Sequence, residues 1–366
     1  MSSQLNRLAV AVAERRAAGK RILDLHSPNS DFAISTVPAD VLRTAMDSYS
    51  RNLSYRPDAA GSLRAREAIS TFYLKKFEIQ VDPDHLILTA STSEAYSWIF
   101  RAIPEGRIVA ERPAYPLFEH LADFSRRRLD FVDHISPSDS PAAFLTVSPC
   151  NPSGTIVKQS SHSRIAETGS LQVFDEVFSS YIWDDSLSGR HFPRPVGPSF
   201  TLNGASKLLR MPWLKIGWIW LADHEKSAAL QEDLLMIADT FLSVNGFAQD
   251  ALPDLMDAGL ASLPEYLRVL RSNCDFVCST ISKIPGLSAK PPEGGLMLVV
   301  GLEEDLGDEE DFAVELLREH GLHVYPGYFY DLRESCMVLS FAHRREILEE
   351  SLQILREFVE KKRAKG

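Results

Sequence analysis

The sequence predicts an α/β protein: a large domain with a mostly parallel sheet flanked by helices on both faces, joined to a smaller α+β domain. Between His85 and Ala222 short apolar runs alternate with helical periods, the pattern of strands covered on both sides by crossover helices. After about Cys278 the texture changes to strand, helix, strand, helix. The 366 residues suit one large unit and a smaller one rather than a single small core. The boundaries expected from this are 45–270 for the large domain, and 1–44 with 271–366 for the small one.

The elements follow in order. Residues 3–18 have helical spacing, with Leu5, Leu8, Ala9 and Val12 on one side. Arg21 to Leu25 is a short strand, and His26-Ser-Pro-Asn-Ser30 a turn. Pro38 suits the first turn of a helix running to Tyr49, and Ser62 opens another reaching Lys76, with a loop from Ser54 to Gly61 between them. Strands are expected at 85–88, 107–110, 143–148, 171–174, 200–202 and 216–222, with helices at 93–102 and from Leu117. From Asp239 to about Cys278 the chain reads as helical. Strands at 296–300 and 337–341 and helices at 311–320 and 345–361 complete the small domain.

A net charge of −11 without a long basic run argues against nucleic acid or an anionic membrane as partner. No apolar stretch approaches the roughly 18 residues of a transmembrane helix. The basic, amphipathic first twenty residues read as a docking helix, with a transit peptide as the other reading. Cys150, Cys274, Cys278 and Cys336 form no CxxC pair and have no histidine-rich partner spacing, so reduced thiols in a cytoplasmic protein without structural zinc are expected.

Candidate chemistry lies at the strand ends, where ligands of such sheets bind. In Asn203-Gly-Ala-Ser-Lys207 small residues leave room for a planar ligand to reach the Lys207 amine, and a lysine shielded from water is a usable nucleophile. Lys215 follows eight positions on; a turn with two solvated lysines is the plainer reading. Ser91-Thr-Ser93 between a strand and a helix offers hydroxyls and free amides to a phosphate, or simply caps the helix. Tyr115 follows a strand, where a core tyrosine is the plainer local reading. Asn151, in Asn-Pro-Ser-Gly154, belongs to a turn that aims an amide toward the same end. Asp175 is an acid closing an apolar strand, where burial demands a cation; an N-cap or a metal ligand is the alternative.

Taken together and in this order, these motifs resemble the class I/II aminotransferase family, pyridoxal-phosphate enzymes of fold type I, over nearly the whole chain. The resemblance implies pyridoxal phosphate as cofactor. Lys207 becomes the Schiff-base lysine and proton carrier, and Asp175 the partner of the protonated ring nitrogen. Asn151 is implied as donor to the phenolic ring oxygen, and Tyr115 as the ring stacked on the cofactor. Ser91, Thr92, Ser93, Ser206 and Lys215 are the implied phosphate ligands, with lysine where arginine is usual. Tyr55 resembles the tyrosine that reaches the phosphate of a neighbouring subunit, which implies a homodimer with its active site at the interface.

Three departures stand out. Gly204 replaces a serine often found three residues before the lysine, which removes one phosphate donor. Phe178 stands where the family often has a tyrosine donating to the ring oxygen, which predicts a raised pKa for the Schiff base unless Tyr181 compensates. Val338, before Leu-Ser-Phe341, occupies the slot of the arginine that clamps the substrate carboxylate; Arg333, Arg344 and Arg56 are candidate replacements. The expected function is an aminotransferase passing an amino group from an amino acid or amine to a 2-oxo acid. A lyase or decarboxylase using the same cofactor is the alternative, and a non-catalytic binding relative a second.

Overall fold

The computed structural model describes residues 6–26, 28, 37–51, 53, 57–136, 140–242 and 244–364. The strands are β1 Leu23–Asp24, β2 Leu86–Thr89, β3 Ile108–Glu111, β4 Leu129–Val132, β5 Ala143–Val147, β6 Leu171–Asp175, β7 Ser199–Gly204, β8 Gly217–Leu221, β9 Leu287–Ala289, β10 Met297–Leu302, β11 Leu322–His323, β12 Tyr325–Pro326 and β13 Cys336–Ser340. Seven of them form one sheet in the order β2-β8-β7-β6-β5-β3-β4. All run in one direction except β8, which is antiparallel to both its neighbours.

Both faces of this sheet are covered, which is why its strands are almost wholly apolar. Ile87, Ile108, Ala110, Leu145, Val173, Phe200, Leu202 and Ile219 pack against the helices Thr92–Ala102, Phe118–Phe124 and Gln231–Phe241. On the other face Leu86, Leu88, Phe174 and Trp218 meet the helices Leu63–Phe77 and Gly246–Ala261. The alternation of the pleat divides neighbouring residues between the two cores. Gly61 closes the loop before the first of these helices at φ 86°, and a Cβ there would lie 2.5 Å from the Leu88 side chain.

The second sheet, β12-β13-β10-β9, is antiparallel and packs with the helices Leu263–Ile281, Glu309–His320 and Arg345–Arg363 around an apolar core of its own. β1 and β11 form a separate parallel pair that joins the N-terminal segment to this part, with Asp24 beside His323. No helix among the described residues is long and apolar enough to cross a membrane.

The element order follows the expectation, with instructive differences. The helical stretch after Asp239 is three helices. Leu242, left-handed at φ 52°, ends the first, the Asn245 side chain caps the second, and Pro264 opens the third. The sequence reading overlooked β4, β9, β11 and β12: β9, β11 and β12 are three residues or fewer, and β4 is only half-buried along its length and carries a charged residue in place of an apolar run.

One buried charge pair ties the layers together. Glu176, fully buried, accepts from the Tyr73 hydroxyl at 2.7 Å and from Asn203 Nδ2 at 3.1 Å, and is ion-paired with Arg194. The Arg194 guanidinium lies among the rings of Phe77, Phe192, Tyr73 and Trp220, between 4.2 and 6.0 Å from their centroids. Removing the cation leaves a carboxylate buried without compensation. Arg194→Met is therefore expected to lower the unfolding free energy by about 3–5 kcal/mol in urea titrations, and a loss below about 1 kcal/mol contradicts this reading of the pair.

Candidate active site

The four parallel strands β3, β5, β6 and β7 end on one side of the sheet, and each is followed by a residue singled out above: Tyr115, Asn151, Asp175 at the strand terminus itself, and Lys207. β2 ends there too and leads into the helix Thr92–Ala102, whose N-cap is Ser91. β8 begins at this end, with Gly217 paired to both Thr89 and Gly204. A Cβ on Gly217 would lie 3.2 Å from both the Ser91 carbonyl carbon and Thr89 Oγ1, a tight contact that glycine avoids where the three segments meet. Lys215, two residues earlier and exposed, is thereby carried to the side where the Ser91–Ser93 helix start lies.

Asp175 is the electrostatic centre. It is 6% exposed, and its two oxygens accept from the Tyr96 hydroxyl at 2.7 Å and the Val177 amide at 3.0 Å. Burial pushes its pKa up to about 6; the Val177 amide, the Tyr96 hydroxyl and the Lys207 charge pull the other way without restoring the ordinary value. Both bonds come from dipoles, and the carboxyl is short of a positive charge at contact distance. Lys207 sits in the short helix Ala205–Leu208; burial lowers its pKa and the Asp175 charge opposes that. Its amine is 5.9 Å from the centroid of the Phe178 ring. Asn151 Oδ1 is buried with no hydrogen-bond partner. Tyr115 is partly buried against Phe118, and burial and the Asp175 charge raise its pKa.

Some expected residues are engaged otherwise or lie outside the described residues. The Ser91 hydroxyl accepts from the Glu94 amide at 3.2 Å, so it caps its helix, while Glu94 accepts from the Ala90 amide at 2.6 Å. This differs from a reciprocal capping box in that Glu94 reaches the amide before the cap rather than that of Ser91, but the two bonds still fix the helix start that carries Thr92 and Ser93. Ser206 is half-buried one residue before Lys207. Tyr55 and Arg56 lie outside the described residues. Tyr181 is fully buried and donates its hydroxyl to the Lys207 backbone carbonyl, so that hydroxyl is committed to the lysine turn. Arg333 pairs with Asp133 at 2.8 Å and is largely exposed, and Arg344 is exposed ahead of the last helix. Val338 is fully buried with Met297 and Tyr330 in an apolar cluster that Val299, Tyr325, Phe329 and Leu332 flank.

Sequence reasoning missed Tyr96, the donor to Asp175. Its signal was its place one turn into the helix that opens at Ser91, which aims it inward beneath the strand ends. It missed Arg194 as well, because nothing local marks an arginine in a loop as the partner of a glutamate eighteen residues earlier.

The donor set fits pyridoxal phosphate. A buried carboxyl lacking a cation suits a protonated ring nitrogen, the unpartnered Asn151 Oδ1 suits the ring hydroxyl as its acceptor, where the resemblance implied a donor, and a desolvated amine suits the aldehyde. The raised Asp175 pKa also has a thermodynamic consequence for the protein without cofactor. Between pH about 4 and 6 the folded state holds a proton that the unfolded state has released, so the Asp175 contribution falls as pH rises through that window and then stays constant. Asp175→Asn is expected to remove this, gaining stability relative to the parent protein at pH 7 compared with pH 4 by a few kcal/mol in paired denaturant titrations. An equal difference at both pH values contradicts the assignment.

Comparison with known proteins shows the family. The family model for aminotransferase class I and II matches residues 20–355. A probable aminotransferase of Arabidopsis thaliana is 26% identical, over 90% of this chain and 78% of the relative. An S-alkyl-thiohydroximate lyase from the same plant is 27% identical, over 87% and 74%. In structure, the alanine aminotransferase of Pyrococcus furiosus superposes with a TM-score of 0.85 at 20% sequence identity, over 97% of this chain and 96% of that one, which is a likeness of fold. The match spans both sheets and every described residue of the site, and the chain belongs to the aminotransferase class I and II family.

Proposed function

We propose that this aminotransferase acts through pyridoxal phosphate held at the strand ends, as a cytoplasmic homodimer, moving an amino group from an amino acid or amine to a 2-oxo acid. The observation that carries the proposal is the pairing of a buried carboxyl without a cation, Asp175, with a desolvated amine, Lys207, whose charges act on each other. Asp175 would hold the ring nitrogen, Asn151 the ring hydroxyl and Tyr115 the ring face. Ser91, Thr92, Ser93, Ser206 and Lys215 would hold the phosphate, with Tyr55 of the neighbouring subunit. When bound, pyridoxal phosphate supplies an electron sink and a carrier for the amino group.

The chain's own residues supply the rest. The Lys207 amine, its pKa lowered by burial, attacks an aldehyde more readily than a solvated lysine and then takes and returns a proton at Nζ. The Tyr96 hydroxyl and the Val177 amide fix both oxygens of Asp175, so its carboxyl is oriented before any ligand arrives. Tyr181 fixes the lysine turn through the Lys207 carbonyl. The free thiols of all four cysteines agree with a cytoplasmic setting. The exposed Met46, Leu53, Trp213, Met236, Phe241 and Leu242 offer apolar surface to a second copy. We further infer the division into a cofactor-binding domain, residues 45–270, and a small domain of 1–44 with 271–366; the two sheets have separate cores, and the helix Leu263–Ile281, which crosses that boundary, packs in the core of the second sheet.

The purified protein with pyridoxal phosphate should develop a visible absorption band that Lys207→Ala lacks. A panel of amino donors without acceptor should convert that band once, stoichiometrically. No band, or steady release of ammonia or carbon dioxide, contradicts the proposal. Because Tyr181 is committed elsewhere, Phe178→Tyr is expected to shift the pKa of the visible band downward relative to the parent protein, and an unchanged titration contradicts the role given to that position. Sedimentation should report a dimer, and a monomer at micromolar concentration contradicts the shared site.

A further inference from the structure

The Lys207 turn is fastened to the place where the chain passes from one core to the other. The helix Gly246–Ala261 buries Leu252 and Leu255 in a core of the large sheet, whereas the helix Leu263–Ile281 buries Leu263 and Leu270 in the core of the second sheet. Ser262 alone separates the two helices, as the last cap of one and the first cap of the other. Pro264, in the first turn of the second helix, lacks the amide needed to carry the first one onward. Leu260 packs against both cores. A Cβ on Gly259 would come within 2.9 Å of Leu209 Cδ2, so the first helix lies directly against the turn that follows Lys207.

Arg210, buried and three residues after Lys207, spans this junction. Its Nη2 donates to the Gly259 carbonyl at 2.9 Å and to Ser262 Oγ at 2.7 Å, and its guanidinium lies over the Tyr266 ring, 4.9 Å from the centroid. One bond thus reaches the end of the first helix, one the residue between the helices, and the ring contact the second helix. The Arg210 amide donates to the Lys207 carbonyl at 3.1 Å, and the Tyr181 hydroxyl donates to the same oxygen. The Tyr181 ring meets Tyr266 edge on, with centroids 6.2 Å apart, and the Tyr181 carbonyl accepts from the Gly295 amide at 2.8 Å, just ahead of β10. The contacts close a ring from the Lys207 turn through Arg210, the helix junction, Tyr266 and Tyr181 back to the Lys207 carbonyl. Arg210 is also left-handed, at φ 59°, a conformation strained for a residue with a Cβ. Unlike the buried Arg66 and Arg194, it pairs with no carboxylate among the described residues.

We propose that Arg210 is a positioning residue that sets the placement of the Lys207 amine by the geometry of the helix junction, so that the orientation of the second sheet, which carries Val338, is transmitted to that amine. A buried cation without an anion and a strained backbone both work against stability, and an apolar side chain of similar volume would fill the junction at less cost. What a guanidinium adds is direction: a rigid plane that stacks on one helix while its fixed donors reach the other. This inference rests on the reading of Lys207 as the reacting amine.

Two measurements test it. In the protein without cofactor, amide hydrogen exchange is read by mass spectrometry over residues 205–211 and 259–266. Ser262→Ala is expected to speed exchange in the lysine turn, and Tyr181→Phe to speed it at the helix junction, each by about fivefold or more, because the two segments open as one unit. In the holoenzyme, the reaction with an amino donor is followed in the visible band. Arg210→Met and Arg210→Lys are expected to lower the limiting rate by about tenfold or more and to leave the half-saturating donor concentration within about threefold, since a displaced amine slows the reacting step rather than binding. Ser262→Ala is expected to give a smaller loss of the same kind, and carries the test if the Arg210 variants fail to fold. Exchange that speeds only in the substituted segment, or the parent limiting rate in Arg210→Met and Ser262→Ala, overturns the proposal. A parent protein without a visible band sinks the reading of Lys207, while coupled exchange still upholds the link. A parent protein that converts donors, with uncoupled exchange in the variants, does the reverse.

Discussion

The site depends on taking one carboxyl out of water at the end of β6. Asp175 is the last residue of a strand whose other members are all buried, so the sheet that makes the fold also desolvates the acid. Tyr96 and the Val177 amide satisfy its oxygens, but dipoles do not neutralise a charge, and the pKa stays up at about 6. A scaffold without function gains nothing from that arrangement. A site built to receive a protonated ring does, because the cation both relieves the desolvation and is kept protonated by the acid.

The surrounding architecture keeps that acid and the lysine in fixed relation. Asp175 pairs with Leu202 on β7, and two residues beyond Leu202 the strand turns into the short helix that bears Lys207. Glu176, next to Asp175, is bonded to Asn203 on the same turn and held by Arg194 in its cage of rings. The strand carrying the acid and the turn carrying the amine thus share a buried ionic anchor, and Tyr181 adds a second tie at the Lys207 carbonyl. Such pairs are weak contributors to net stability but severe when broken, which suits a role in fixing geometry.

The strand-end half of this arrangement was legible in sequence because each part leaves a local mark. An acid ends an apolar run, a lysine sits among small residues, and a Ser/Thr string joins strand to helix. Those marks gave Asp175, Lys207 and Ser91–Ser93, and the structure brings the strand ends that carry them together. The cluster at β1 and β11 was not legible. Asp24 and His323 are 299 residues apart and meet only because β1 and β11 pair, and each strand is two residues long. Neither periodicity nor motif announces a pairing of that length. The absence at Val338 was readable, but what stands beside it was not, since Tyr325 and His26 reach that place through tertiary contact alone.

The central claim is that Asp175 is matched to a protonated ring nitrogen, and the nitrogen chemical shift of isotope-labelled pyridoxal phosphate in the holoenzyme tests it most directly. The account predicts the shift of a protonated nitrogen in the parent protein at neutral pH, and that of an unprotonated nitrogen in Asp175→Asn. An unprotonated nitrogen in the parent protein, or the same shift in both, would contradict it.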